Sequence, residues 1–178
     1  MNEGRRIAQT VIQLATEKNV GIVTAESCTG GAIAATLARI PGASVVLTGG
    51  YVVYTPLMKE SVLRIPYRVI AREGIVSVPV ARMMARAALG KTISARYSVA
   101  VTGYAGPTGY PVGKVVVAWA ERKFGHVIAY SRILRVSGQR TRVIEGTVAN
   151  ALQGLVALLQ ARNPSQETLL YPALDWRG

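Results

Sequence analysis

Apolar residues recur at helical spacing from the first turns of the chain. Ile7, Val11, Ile12, Leu14 and Ala15 share one face of Glu3 to Lys18, which predicts an amphipathic helix with Asn19 as its C-cap. The period changes at Val20. Val20 to Thr24 is a short continuous apolar run, the pattern of a strand buried on both faces. It leads into Glu26-Ser27-Cys28-Thr29-Gly30-Gly31 and a helix from about Gly30 to Arg39, which Ile40-Pro41-Gly42 stops. Val45 to Thr55 predicts a second strand, with Gly49-Gly50 as a bulge or a close approach.

Three short helices are then expected: Leu57 to Leu63 with Pro56 in its first turn, Pro66 to Glu73 closed by Gly74, and Val80 to Leu89 behind Pro79. Tyr97 to Thr102 reads as another apolar strand. A glycine- and proline-rich loop, Gly103 to Gly113, follows it. Lys114 to Arg122 and His126 to Val136 predict a hairpin, and Ser137 is the expected cap of a long helix, Gly138 to Arg162. Strands alternating with helices imply a layered α/β domain over residues 1–162, with the hairpin making its sheet mixed. Residues 163–178 carry Pro164 and Pro172 and read as a C-terminal arm or disordered tail.

Composition narrows the chemistry. The chain has 178 residues with one Cys and one His, so an intrachain disulfide, a Cys-based zinc site and a His metal cluster are excluded. The net charge is +12, which favours anionic partners. Of 21 basic residues 16 are arginine, scattered from Arg5 to Arg177, which reads as solvated surface charge in preference to a nucleic-acid-binding stripe; nucleic acid, acidic membranes and phosphorylated metabolites stay open as anionic partners. No apolar run reaches transmembrane length, and no signal-peptide core follows the N-terminus. The expected location is the cytoplasm.

Four segments carry candidate chemistry. The turn at Glu26 to Gly31 joins a strand end to a helix start, where N–H groups suit an anion or an oxyanion; Ser27 sits in that turn. Lys59, following Tyr54, can act as base for a serine if burial and nearby arginine charge lower its pKa. The Gly103 loop lets backbone approach a ligand. Arg140 and Arg142 stand in the first turns of the last helix, where cations oppose the helix dipole unless they hold a phosphate or carboxylate. Each segment also has a plain structural reading: a cap, a surface lysine, a connection, surface charge. Cys28 reads as a buried structural thiol.

Together these segments resemble the CinA C-terminal domain family, the stand-alone nicotinamide-nucleotide amidohydrolases of PncC type. The resemblance is carried by Thr24-Ala25-Glu26-Ser27-Cys28-Thr29-Gly30-Gly31, Ile40-Pro41-Gly42-Ala43-Ser44, Gly50-Tyr51-Val52-Val53-Tyr54 with Lys59, Gly74-Ile75-Val76-Ser77, Val101 to Pro107, Pro111-Val112-Gly113 and Gly138 to Val143. It implies a three-layer α/β/α sandwich that deamidates nicotinamide mononucleotide to nicotinate mononucleotide and ammonia without metal or cofactor. Ser27 would be the nucleophile, Lys59 the base and Tyr54 its support. Substrate binding would fall to Glu26, Thr29, Gly30, Gly31, Thr102, Gly103, Ala105, Gly106 and Arg140. It also implies a homo-oligomer, and a chain lacking the N-terminal pyrophosphatase domain of larger relatives. The sequence departs from the family pattern at Pro56, at Val78, at Lys114 and in a shorter loop around Tyr110. These departures frame the alternative reading, a catalytically weakened CinA-like protein that binds a nucleotide or nucleic acid.

Overall fold

The computed structural model describes residues 3–166. The first helix, α1 (Glu3–Glu17), buries Ile7, Ala8, Val11, Ile12 and Ala15, the face its periodicity predicts. Asn19 ends it in the left-handed region at φ 51, a conformation its short polar side chain tolerates. Strand β1 (Gly21–Glu26) then enters the centre of the protein with Ile22 to Glu26 buried. The short helix α2 (Ala32–Ala38) follows.

The predicted strand Val45 to Thr55 is shorter at both ends. Ala43–Val46 forms a single helical turn, α3, and β2 occupies Leu47–Val52. Gly42 at φ 87 launches that turn, and Val46 packs into the core from it, so the apolar pair Val45-Val46 does not belong to the sheet. The close approach expected at the glycine pair is present: a Cβ on Gly50 would lie 2.6 Å from Thr24 Oγ1 on β1. The β1–β2 register shifts opposite this region.

Beyond β2 come α4 (Pro56–Leu63), α5 (Tyr67–Glu73) and α6 (Val78–Lys91). Strand β3 (Ala95–Gly103) pairs parallel to β1, and β4 (Lys114–Lys123) and β5 (His126–Arg135) continue antiparallel. The sheet order is β2-β1-β3-β4-β5, mixed as the hairpin requires. The last helix, α7, covers Arg140–Leu159. Its N-cap is Gln139 with no side-chain bond, not Ser137, because Gly138 at φ 118 turns the chain before the helix begins.

Two apolar layers flank the sheet. One joins α1, α2 and α7 to Val99, Val101, Val117 and Trp119; the other joins α6 and the ends of α4 and α5 to Val23, Ala100, Val116 and Ala118. The fold is therefore the three-layer α/β/α sandwich. Of the expected tail, Pro164–Gln166 forms one 3-10 turn, tied down by Ser165 Oγ donating to the Ser131 carbonyl at 3.1 Å; residues 167–178 lie outside the described residues.

Candidate active site

The site grows from the C-terminal end of β1. Glu26 is completely buried, and its carboxylate accepts four bonds: from Thr24 Oγ1 at 3.1 Å, Thr29 Oγ1 at 2.7 Å, and the Ile33 and Ala34 amides at 2.9 Å each. Both amides belong to the first turn of α2 and have no partner within the helix, so Glu26 caps the helix from the strand side. Gly30 is also committed, its amide donating to the Ser27 carbonyl at 2.9 Å. The helix start therefore offers an incoming oxyanion less than the sequence suggests. The Thr29 amide in the same turn has no acceptor among the described residues.

Ser27 follows Glu26 directly. Its amide donates to Val101 O on β3 at 3.1 Å, fixing the turn to the sheet. Lys59 comes to it from the other layer. Thr55 caps α4 by accepting from the Met58 amide at 3.2 Å, and Pro56 opens the helix. One turn on, Lys59 points inward with zero exposure. Its Nζ donates to Ser27 Oγ at 2.9 Å, Val53 O at 2.8 Å and Tyr54 O at 3.3 Å. Ser27 Oγ in turn lies 3.2 Å from Tyr54 O as donor. No carboxylate pairs with Lys59 among the described residues. Burial pulls its pKa down from 10.5 to about 8, with the neighbouring Cys28 acting in the opposite direction. The arginines expected to help are not among the causes. Desolvation does this alone.

Such a cluster has a specific consequence. An ammonium has three donors and fills all three contacts. A neutral amine has two, and the carbonyls of Val53 and Tyr54 can take both, leaving the lone pair facing the serine hydroxyl. That is the geometry of a general base.

Ser27 opens onto a small cavity of about 180 Å³ lined by Cys28, Tyr54, Ile75, Val76, Thr102, Gly103, Ala105, Gly106 and Arg140, among others. Arg140 bridges its walls, Nη1 donating to Gly106 O at 2.8 Å and Nη2 to the Tyr54 hydroxyl at 2.8 Å. Thr102 Oγ1 donates to Ile75 O at 2.8 Å, pinning the apolar Ile75-Val76 wall to β3. Of the candidate residues, the structure gathers Ser27, Tyr54, Thr102, Gly103, Ala105, Gly106 and Arg140 at the cavity, with Lys59 against Ser27 from within. Glu26, Thr29, Gly30 and Gly31 do not line it. Cys28 does, but burial pushes its thiol up to about 11, which keeps it protonated near neutrality. Ile75, Val76 and the Val53 carbonyl escaped sequence reasoning. Backbone acceptors leave no side-chain signal, and a two-residue apolar wall reads as core.

Residues 4–159 match the CinA C-terminal domain. The chain belongs to that family. Among its relatives, the nicotinamide-nucleotide amidohydrolase PncC of Pseudomonas putida is 39% identical over 144 residues, 79% of this chain and 87% of that protein. A competence-damage inducible protein of Desulforamulus reducens is 40% identical over 166 residues, 90% of this chain. This chain spans only 38% of that longer relative, and 35% of a similar protein from Caldicellulosiruptor bescii. In three dimensions it superposes on the competence/damage inducible protein CihA of Agrobacterium tumefaciens with a TM-score of 0.82 at 36% identity, covering 89% of this chain and 96% of that one. A CinA superfamily protein of Klebsiella pneumoniae gives 0.81 at 27% identity, covering 89% and 98%. No helix among the described residues is long and apolar enough to cross a membrane.

Proposed function

We propose that this CinA-family domain is a metal-independent amidohydrolase that converts nicotinamide mononucleotide to nicotinate mononucleotide and ammonia. The observation that carries this reading is Lys59 Nζ at 2.9 Å from Ser27 Oγ, buried and without a carboxylate partner. Neutral Lys59 takes the Ser27 hydroxyl proton as Oγ bonds to the carboxamide carbon. The carbonyl oxygen becomes an oxyanion beside the now cationic Lys59. Protonated Lys59 returns the proton to the amide nitrogen, the C–N bond breaks, and ammonia leaves an ester on Ser27. Water, deprotonated by Lys59, attacks that ester. The C–Oγ bond breaks, Ser27 regains its proton, and the carboxylic acid departs.

Substrate recognition in this reading pairs an apolar wall with a cation. Ile75 and Val76 suit a pyridine ring. Arg140, at the open N-terminus of α7, suits a phosphate. Glu26 acts on the turn and not on the substrate, since its acceptor capacity is already used. The cytoplasm and a homo-oligomeric assembly belong to the same proposal. The test is ammonia release from nicotinamide mononucleotide by protein dialysed against a chelator. Full activity after dialysis supports the assignment; loss with recovery on added metal refutes it. No ammonia, combined with a salt-dependent shift of labelled DNA, would favour the binding-protein reading that the +12 charge permits.

A further inference from the structure

Between Glu26 and Lys59, both buried, the sequence carries a single charged residue, Arg39. That stretch forms α2, α3, β2 and the start of α4, in a chain of net charge +12. Arg39 turns toward α1 and α7, where it lines a cavity with Arg5 and Glu145. What remains is an uncharged surface with large apolar side chains on it. Val45 is 66% exposed and Leu57 70%, and Val52, Tyr54 and Met58 are exposed as well. Elsewhere exposed apolar side chains stand next to cations: Phe124 follows Lys123, Ile133 follows Arg132 and Tyr67 precedes Arg68.

These residues flank β2, an edge strand. It pairs with β1 alone, and none of its backbone groups bonds outward among the described residues. Strand edges are normally guarded by charge, by proline or by a covering segment. The opposite edge, β5, is guarded: it carries His126, Arg132 and Arg135, and Ser165 Oγ occupies the Ser131 carbonyl at 3.1 Å. β2 carries no charge and no proline.

The charge balance selects the occupant. A polyanion is drawn to faces that bear arginine, and this one has none to offer. Two copies at +12 each repel over most of their surface, but here they meet without burying an unpaired cation. An open strand edge is also complementary to itself: turned about a two-fold axis, it pairs antiparallel with its own copy.

We propose that the β2 edge, with Val45, Val52 and Leu57, is the interface of a two-fold homodimer in which β2 pairs antiparallel with its copy. The inference deepens the homo-oligomeric reading above and does not depend on the chemistry at Ser27. Tyr54 lies two residues beyond Val52, so the interface borders the catalytic cavity.

Sedimentation velocity of the full chain at physiological salt should show a dimer at about 10 μM. Val52→Lys combined with Leu57→Lys should raise the dimer dissociation constant at least about tenfold. Ile133→Lys, on the β5 edge, should leave it unchanged. Deuterium exchange of the β2 amides should be slower in the wild type than in the lysine pair. Thermal melting confirms that each variant is folded, and Leu57→Lys alone carries the test if the pair is not. A wild type that stays monomeric up to about 100 μM, a dimer indifferent to the lysines, dissociation by Ile133→Lys, or equal exchange of the β2 amides would each overturn the proposal. Ammonia release is not among the readouts, so failure here and failure of the proposed activity are separate results.

Discussion

Arg140 Nη2 donates to the hydroxyl of Tyr54 at 2.8 Å, joining residues 86 positions apart at the cavity beside Ser27. The same tyrosine serves the dyad through its backbone, where its carbonyl meets both Ser27 and Lys59. The phenol and the carbonyl are separable by mutation. Tyr54→Phe removes the partner of the guanidinium and keeps the carbonyl. KM for nicotinamide mononucleotide should rise about tenfold, with kcat within about threefold of wild type. A collapse of kcat in steady-state assays would place the phenol in the chemistry itself.

Ser27→Ala should fold normally, since the turn is held by the Ser27 amide and by Glu26, not by the hydroxyl. Turnover should fall by a factor on the order of a thousand or more, as loss of a nucleophile does. Ammonia release and a thermal melt of the same sample separate the two effects.

The base is tested by charge and by pH. Lys59→Arg keeps a cation that cannot accept a proton near neutrality and should be nearly as inactive as Ser27→Ala. In the wild type, kcat/KM should climb with pH through about 8 as Lys59 loses its proton. A profile flat from pH 6 to 9, or an active Lys59→Arg, rules this lysine out as the base.

Burial of Lys59 also leaves a signature in stability. Its folded pKa of about 8 lies below the unfolded 10.5, so unfolding takes up a proton between those values. The unfolded state binds more protons there, and stability contributed by this group rises with pH across the window. Below pH 8 the folded state carries the full penalty, roughly 3 kcal/mol. Relative to Lys59→Met, the wild type should therefore gain stability by about that amount between pH 7 and 10.5, read from urea titrations at each pH.

Gly154 faces Trp119 so closely that an added Cβ would fall inside the indole. The indole N–H donates to Ala151 O at 2.9 Å, locking α7 onto β4. Gly154→Ala should cost about 1–3 kcal/mol in chemical denaturation, because ring and helix must separate. Trp119 pairs with Val99, three residues along β3 from the Thr102 that lines the Ser27 cavity, and does not line that cavity itself, so kcat should change little.

Much of this was legible in the order of apolar runs. Period shifts at Val20, Tyr97 and Lys114 mark real strand starts within two residues, and Asn19 and Gly74 end their helices as expected. The errors have physical causes. Val45-Val46 has strand propensity, but Gly42 launches a helical turn there. Ser137 has cap chemistry, but Gly138 moves the helix start past it. At the site, side chains announced themselves and backbone did not. Ser27, Lys59 and Arg140 stood out by type and position. The carbonyls of Val53, Tyr54 and Gly106, which hold all three, carry no residue signature. Glu26 was placed at the substrate by the resemblance alone; the fold puts four internal donors around its carboxylate.

Ser27 leads into α2 on one side of the sheet, and Lys59 stands on α4 on the other. Their contact is a seam between two halves that fold around separate apolar cores. Neither half contains a working fragment of the dyad. If either layer loosens, nucleophile and base part company before the sheet itself is lost. If the proposed chemistry holds, it works as an internal alarm: activity should fall silent at the first partial opening, while spectroscopic measures of strand and helix still read as native.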